Sequence, residues 1–431
     1  MRVTIFGIIW LSILIIVFLN NKAKYIVGMT LLSMVMQQAS VVFLGDTGIG
    51  PQIFTSVAMI AWSLRTSTIW NDFTLKFSKK NYLKKICFIA IVGFIGVILI
   101  SRKINYMTYR LTDVDFTLLF IQLLIYILCF LCMWNLKDKV KAEEIETIFV
   151  NIILIVVVIG ILQVGTQMNV LPLKSIMCTF IYTNPDALNN PWQYPRFFST
   201  FQEPSYCSPF LVGGFYYIIS LGNKSKKYMF LAVTLVLAIM LTFSSTAYGT
   251  FGICGILYVI ISKNKKALKY LVPIGIACVL LLFVSGYLMQ ILNEVIFQKM
   301  STGSAWTRGN LDDYCYAMYE KAKIWGNGYK NIRGSQFLKS LAAQLGIMGC
   351  VFWFLIWTPI CAFLIKNRKD SKFVGVLLYL VSVVIAMFIA IPDIDIIVFW
   401  GMMYLVAVTL STEKSDLERG KYEHFNYSSS V

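Results

Sequence analysis

Apolar runs of membrane-crossing length recur along almost the whole chain, and they limit its fold more than any other feature. Crossing lipid hydrocarbon takes about 20 apolar residues, and about thirteen stretches approach that length. They lie at 3–20, 25–44, 52–64, 86–101, 117–136, 147–169, 204–221, 228–243, 246–262, 270–290, 341–365, 373–391 and 396–411. In lipid each backbone polar group needs an internal partner, so such runs read as helices. The expected fold class is an all-α polytopic membrane protein with about 12–13 transmembrane helices. These form a single domain, 1–411, followed by a polar tail, 412–431, expected to be cytoplasmic and frayed. The first run has no small-residue cleavage site followed by a polar chain, so it reads as a retained span. The eighth and ninth runs are parted only by Ser244-Ser245-Thr246.

Charge agrees with this reading. Charged residues make up 14% of the 431, against about 25% in a soluble domain, and the mean hydropathy is +0.72. The net charge of +17 comes mainly from short lysine and arginine clusters between the apolar runs, at 22–24, 65–85, 137–141, 224–227, 263–269, 366–372 and 414–421. Clusters of that kind mark cytoplasmic loops and argue against nucleic acid as partner. They place the C-terminus inside and the N-terminus outside. The ten cysteines fall mostly within apolar runs as small packing residues, and the one histidine, His424, lies in the tail. A histidine-based metal site is therefore excluded, and no Walker A, dinucleotide or zinc signature occurs.

Two loops on the outer side, about 170–203 and 292–340, are too long to be connectors. The first holds the turn signals Asn184-Pro185-Asp186 and Asn190-Pro191-Trp192 and ends in Arg196-Phe-Phe-Ser-Thr-Phe-Gln-Glu203-Pro-Ser-Tyr206. Ionisable groups at the mouth of a span usually have a use. Pro204 suits a first helical turn, with Thr200 or Glu203 as cap. Glu203 reads either as a helix-start carboxylate partnered by Arg196, or as an orienter or base for a hydroxyl, with Arg196 ready for phosphate. Arg308 precedes a predicted amphipathic helix at 311–324. It reads either as a headgroup contact or as a second arm of a diphosphate clamp. Asp312 and Asp313 are expected to stabilise that helix start. Lys321, Lys323, Lys330 and Arg333 read as a steering surface or as lipid contacts. Asp393 and Asp395 resemble a DxD metal motif but read as a turn between the last two spans, and Asp46 as a turn with Gly45 and Gly48. The hydroxyls of Ser244, Ser245 and Tyr248 are expected at the level of the long loops.

Four segments, in order, carry a resemblance. They are Arg196…Phe201-Gln-Glu203-Pro-Ser205, Leu241-Thr-Phe-Ser244-Ser-Thr-Ala-Tyr248-Gly249, Gly303-Ser-Ala-Trp-Thr-Arg308, and Trp325-Gly-Asn-Gly328 leading to Leu341-Ala-Ala-Gln-Leu-Gly346-Ile-Met-Gly349. Over about residues 140–400 the chain resembles the O-antigen polymerase and ligase family of glycan-assembly proteins. It departs from that family in lacking a histidine before the closing segment, where Arg333-Gly-Ser335-Gln336 stands. An arginine often found beside the serines of the second segment is also missing.

The resemblance implies a glycosyltransferase-type polymerase in the bacterial cytoplasmic membrane, with its active face outside. Its substrate would be an oligosaccharide on undecaprenyl diphosphate, and transfer would need neither metal nor cofactor. Membrane lipid, a flippase and a chain-length regulator would be its partners. Arg196 and Arg308 would neutralise the diphosphate and Glu203 would orient the acceptor. Ser205, Tyr206, Ser244, Ser245, Tyr248 and Tyr329 would contact substrate, and Trp192, Tyr194, Trp306 and Tyr329 would stack on sugars. A ligase using another acceptor, or a non-enzymatic flippase, are the alternatives.

Overall fold

The computed structural model describes residues 1–66, 82–105, 110–136, 139–183, 188, 194–222, 226–262 and 303–428, with side chains in all of these except 303–305 and 413–428. The predicted span at 270–290, the turn signals at 184–186 and 190–191, and Trp192 lie outside the described residues.

The described chain is a helical bundle built from α1 (Ile5–Leu19), α2 (Ala23–Ser33), α3 (Pro51–Arg65), α4 (Tyr82–Ile104), α5 (Asp113–Trp134), α6 (Ala142–Gln167), α7 (Lys174–Phe180), α8 (Pro204–Ser220), α9 (Lys226–Leu241), α10 (Ser245–Ile261), α11 (Gly303–Lys321), α12 (Phe337–Lys366), α13 (Ser371–Ala390) and α14 (Ile397–Ser428). Five of these, α4, α5, α6, α12 and α13, are long and apolar enough to cross a membrane, and α1, α10 and the first half of α14 are shorter apolar helices. This is an all-α polytopic membrane protein. Its only described sheet is three short antiparallel strands, β1 (Arg2–Val3), β2 (Val42–Leu44) and β3 (Thr47–Ile49), with Val42 opposite Ile49 and Arg2 opposite Phe43.

That sheet corrects one expected span. The run at 25–44 is helical only to Ser33. Gln37 and Gln38 interrupt it, and Gln38 spends its backbone N–H on Thr200 and its side-chain amide on Phe201 and Gln202. The chain then turns at Gly45 (φ 60°) into the β2–β3 hairpin, the turn expected around Asp46. Two further departures concern helix ends. α11 begins at Gly303 rather than near 311, and the backbone of α14 stays helical to Ser428 instead of fraying near 412.

Helices α8 and α13 form the buried centre. Small residues bring them together: a Cβ on Gly213 would lie 1.8 Å from the Tyr379 ring, and Ser382 donates to the Pro209 carbonyl at 2.9 Å. Small-residue seams let helix backbones approach closely where lipid provides no hydrophobic drive.

Hydrogen bonds sort the loops into two ends. At one end, Trp62 bonds the Asn20 carbonyl, Lys84 caps Trp134 and Asn135, Lys24 pairs with Glu144, and Tyr228 bonds Glu146. The described basic residues Lys24, Arg65, Lys84 and Lys139 of the clusters meet there. At the other end, Thr4 joins Ser40, Gln38 joins Thr200, Arg196 joins Thr242, and Asn105 joins Gly326.

Helix α12 is broken at this second end. Gly346 (φ 65°, ψ −165°) sits in a region open essentially to glycine alone. The chain around Gly326 (φ 67°) lays its backbone into the break: Asn327 N–H donates to Ala343, Gly328 N–H to Gln344, and Ile347 N–H to Lys323. A Cβ on Gly346 would stand 2.3 Å from the Ile324 carbonyl oxygen. Gly346→Ala should therefore cost more than about 2 kcal/mol, read as a lowered unfolding midpoint in detergent. Gly96→Ala in α4, where a Cβ meets nothing within 4 Å, should be neutral or slightly stabilising. Equal midpoints for the two variants would contradict the backbone clasp.

Candidate functional site

The segment before α8 runs down the side of α6. Arg196 N–H donates to Gln167 at 3.3 Å, the N–H groups of Phe198 and Ser199 donate to Gln163 Oε1 at 3.1 and 3.2 Å, and Ser199 Oγ reaches the Val156 carbonyl at 2.6 Å. Gln163 Nε2 in turn donates to the Arg196 carbonyl at 2.9 Å. Val156 lies 11 residues before the end of α6, so the segment descends about 16 Å along that helix. Irregular backbone at such a depth is tolerated only when protein groups satisfy it. Gln163, wholly buried in α6, meets three of the segment's backbone groups. Phe197 N–H finds the Leu241 carbonyl, and Thr200 and Tyr182 hydroxyls bond the Val35 and Ser199 carbonyls. Close approach is possible because α6 carries glycine where the Phe197 ring packs: a Cβ on Gly160 would sit 2.0 Å from it.

Arg196 does not pair with Glu203. Its Nε donates to the Thr242 carbonyl at 3.0 Å and its Nη2 to the Phe243 carbonyl at 2.8 Å, in the turn between α9 and α10. Phe243 has a positive φ of 44° there. Tyr194 packs edge-on to Phe243 with ring centroids 5.0 Å apart, and Tyr248 donates to the Met240 carbonyl at 2.7 Å. Burial lowers the Arg196 pKa from its ordinary value, opposed by Tyr194, Tyr248 and, most weakly, Glu203. A guanidinium keeps its charge even so. Ser244 is buried at the start of α10 without acting as a side-chain cap. The second resemblance segment thus builds the socket for Arg196.

Glu203 is the N-cap residue of α8 by backbone, but its carboxylate does not cap the helix. It is exposed and accepts from Ser205 Oγ at 3.1 Å. Thr200 does not cap either. Tyr206, one turn in, lies within reach of both Glu203 and the Arg333 guanidinium. Arg333 donates to Asp393 Oδ2 at 2.8 Å, and Lys330 bridges Asp393 and Asp395. Burial alone would lower the Lys330 pKa, but the charges of Asp395 and Asp393 outweigh it and the net shift is upward. Arg333 is likewise raised, by Asp393 and Tyr206, against burial.

The Asp-x-Asp pair does form the expected turn between α13 and α14, and it faces a lysine ammonium. Sequence reasoning left Lys330, Arg333, Asp393 and Asp395 outside the site. Opposite charges in two facing loops were the available signal, but nothing in the sequence pairs loops 60 residues apart.

Arg308 lies inside α11, not before it, and is half-exposed. No hydrogen bond or ion pair among the described residues joins it to Arg196 or Glu203. Asp312, expected at a helix start, is buried mid-helix, where it pairs with Lys339 at 3.1 Å and accepts from Ser335 N–H. Tyr329 is buried, whereas Trp306 is 72% exposed. The site therefore comprises the exposed Glu203 with Ser205 and Tyr206, the anchored Arg333, and Arg196 along the same segment.

Among known proteins, no family model and no curated protein matches this chain.

Gln163→Leu would strand three backbone groups of the descending segment. At about 1–3 kcal/mol for each unsatisfied group, the variant should unfold well below the wild type in a detergent melt. An unchanged midpoint would mean that the segment is held elsewhere.

Proposed function

We propose that the protein polymerises lipid-linked oligosaccharide repeats at this end of the bundle, on the outer face of the bacterial cytoplasmic membrane. The observation that carries the reading is an exposed carboxylate, Glu203, at the end of an irregular segment tied by hydrogen bonds to α6 and to the α9–α10 turn and carrying Arg196. Such a segment is a costly structure to keep near a membrane, and a polar substrate carried on lipid gives it a use. The ordered resemblance to the O-antigen polymerase and ligase family supports the same reading.

In the reaction, a hydroxyl oxygen of the acceptor repeat forms a bond to C1 of the donor sugar. The C1–oxygen bond to undecaprenyl diphosphate breaks, and the lipid diphosphate leaves with the electron pair. The acceptor proton passes to Glu203 or to water, and Glu203 holds the hydroxyl in line. Fixed cations near the leaving group stabilise charge as it develops. Arg196, with two donors committed to carbonyls, supports the segment and adds positive potential.

The test is surface-glycan analysis in a strain that depends on this chain. Glu203→Gln should leave the protein in the membrane and reduce long polymer by at least about tenfold, within the range for removing a positioned acid–base group. Single repeats without long chains after deletion are the expected result. Loss of lipid-linked repeats from the outer face would instead identify a flippase. Long polymer retained on its lipid but absent from its final acceptor would identify a ligase.

A further inference from the structure

We infer that Arg333 is the residue that grips the anionic group of the ligand, and that Asp393 is its positioning residue. The inference rests on the lipid-diphosphate reading given above and names the side chain that makes the contact.

Arginines at this end of the bundle differ in what their donors do: Arg110, also exposed, spends Nη2 on the Tyr314 hydroxyl of α11 at 3.0 Å. Arg196 spends Nε and Nη2 on main-chain carbonyls at 3.0 and 2.8 Å. Arg308 lies on α11 without a hydrogen bond or ion pair among the described residues, so nothing there fixes its direction. Arg333 is both held and open, and unlike Arg110 it is anchored by a carboxylate. Asp393 fixes Nη2 at 2.8 Å and the Tyr206 hydroxyl lies against the same guanidinium, yet its side chain is 62% exposed. A guanidinium has five donors in a rigid fork, so an anchored and exposed one still presents donors to a phosphate. Two parallel bonds to phosphate are the geometry that the fork favours.

The surrounding charges are layered. Asp393 and Asp395 are recessed, with side chains 17% and 9% exposed, and Lys330, bonded to both, is half-buried at 19%. The two acids balance Lys330 and Arg333 in charge, and the outermost group of the cluster is the Arg333 guanidinium. Tyr206 interacts with both this cation and Glu203. An anion gripped by Arg333 and a hydroxyl held by Glu203 would both lie near this tyrosine. The turn between α13 and α14 and the loop before α12 form this grip only together, and the Gly326–Gly346 clasp fixes the height of that loop.

The experiment measures binding of undecaprenyl diphosphate, with undecaprenol as the uncharged comparator, to the full-length protein in nanodiscs. Wild type should prefer the diphosphate by at least about tenfold. Arg333→Gln should lose most of that preference with an unchanged unfolding midpoint. Arg333→Lys, which keeps the charge without the fork, should retain part of it. Asp393→Asn should weaken binding by a smaller factor, because Asp395 still holds Lys330. Lys321→Gln, which removes an exposed charge from the same outer loop, should change affinity by less than about twofold. Wild-type preference in Arg333→Gln would overturn the inference and leave the polymerase reading standing. Equal losses in Arg333→Gln and Lys321→Gln would overturn it in favour of diffuse attraction. A wild type without preference for the diphosphate would remove both the inference and the lipid-diphosphate reading beneath it.

Discussion

One amide side chain carries the geometry of the candidate site. Gln163 lies wholly buried in a 26-residue apolar helix, where a polar group is costly unless it is matched. It is matched by the backbone of the chain descending beside it: one carbonyl from Arg196, two N–H groups from Phe198 and Ser199. Each partner is costly to bury without the other. Helix α6 thereby fixes the path by which the outer loop reaches α8, and with it the position of Glu203. Arg196 performs a related task one layer out, tying the same segment to the turn between α9 and α10.

A second irregular piece meets the first. The chain around Gly326 docks into the break in α12, backbone against backbone, because both strands of that contact carry glycine where a Cβ would collide. Beyond the clasp, Lys330 and Arg333 are held by the aspartates of the α13–α14 turn. Two loops that are distant in sequence therefore converge on Tyr206. Each is anchored to a membrane helix by hydrogen bonds rather than by apolar packing alone.

The helical class was legible from the spacing of apolar runs, because lipid leaves the backbone few alternatives. That Lys24, Arg65, Lys84 and Lys139 share one end was legible from their place between the apolar runs. The broken span at 25–44 was not: its apolar character continues past Gln37 and Gln38, and only the pairing of Val42 with Ile49 and Val3 shows why the helix stops at Ser33. Glu203 and its neighbourhood were legible as charge out of place at the start of a span. The commitment of Arg196 to carbonyls was hidden, since a carbonyl socket leaves no trace in residue identity. Arg333 and Asp393 were hidden differently. Each looks like ordinary loop charge until folding brings them together, and an Asp-x-Asp read as a turn does not announce the lysine that the fold sets against it.

The unequal lengths of the helices have a physical consequence for the surrounding membrane. Lys24 and Glu144 align the starts of α2 and α6, yet α2 ends after 11 residues and α6 after 26, roughly 16 and 39 Å of rise. The lipid-facing α1, at 15 residues, rises only about 22 Å against a hydrocarbon core of about 30 Å. A bilayer meeting so short a flank relieves the mismatch by thinning. Beside α1–α3, then, lipid headgroups are drawn toward the bilayer midplane.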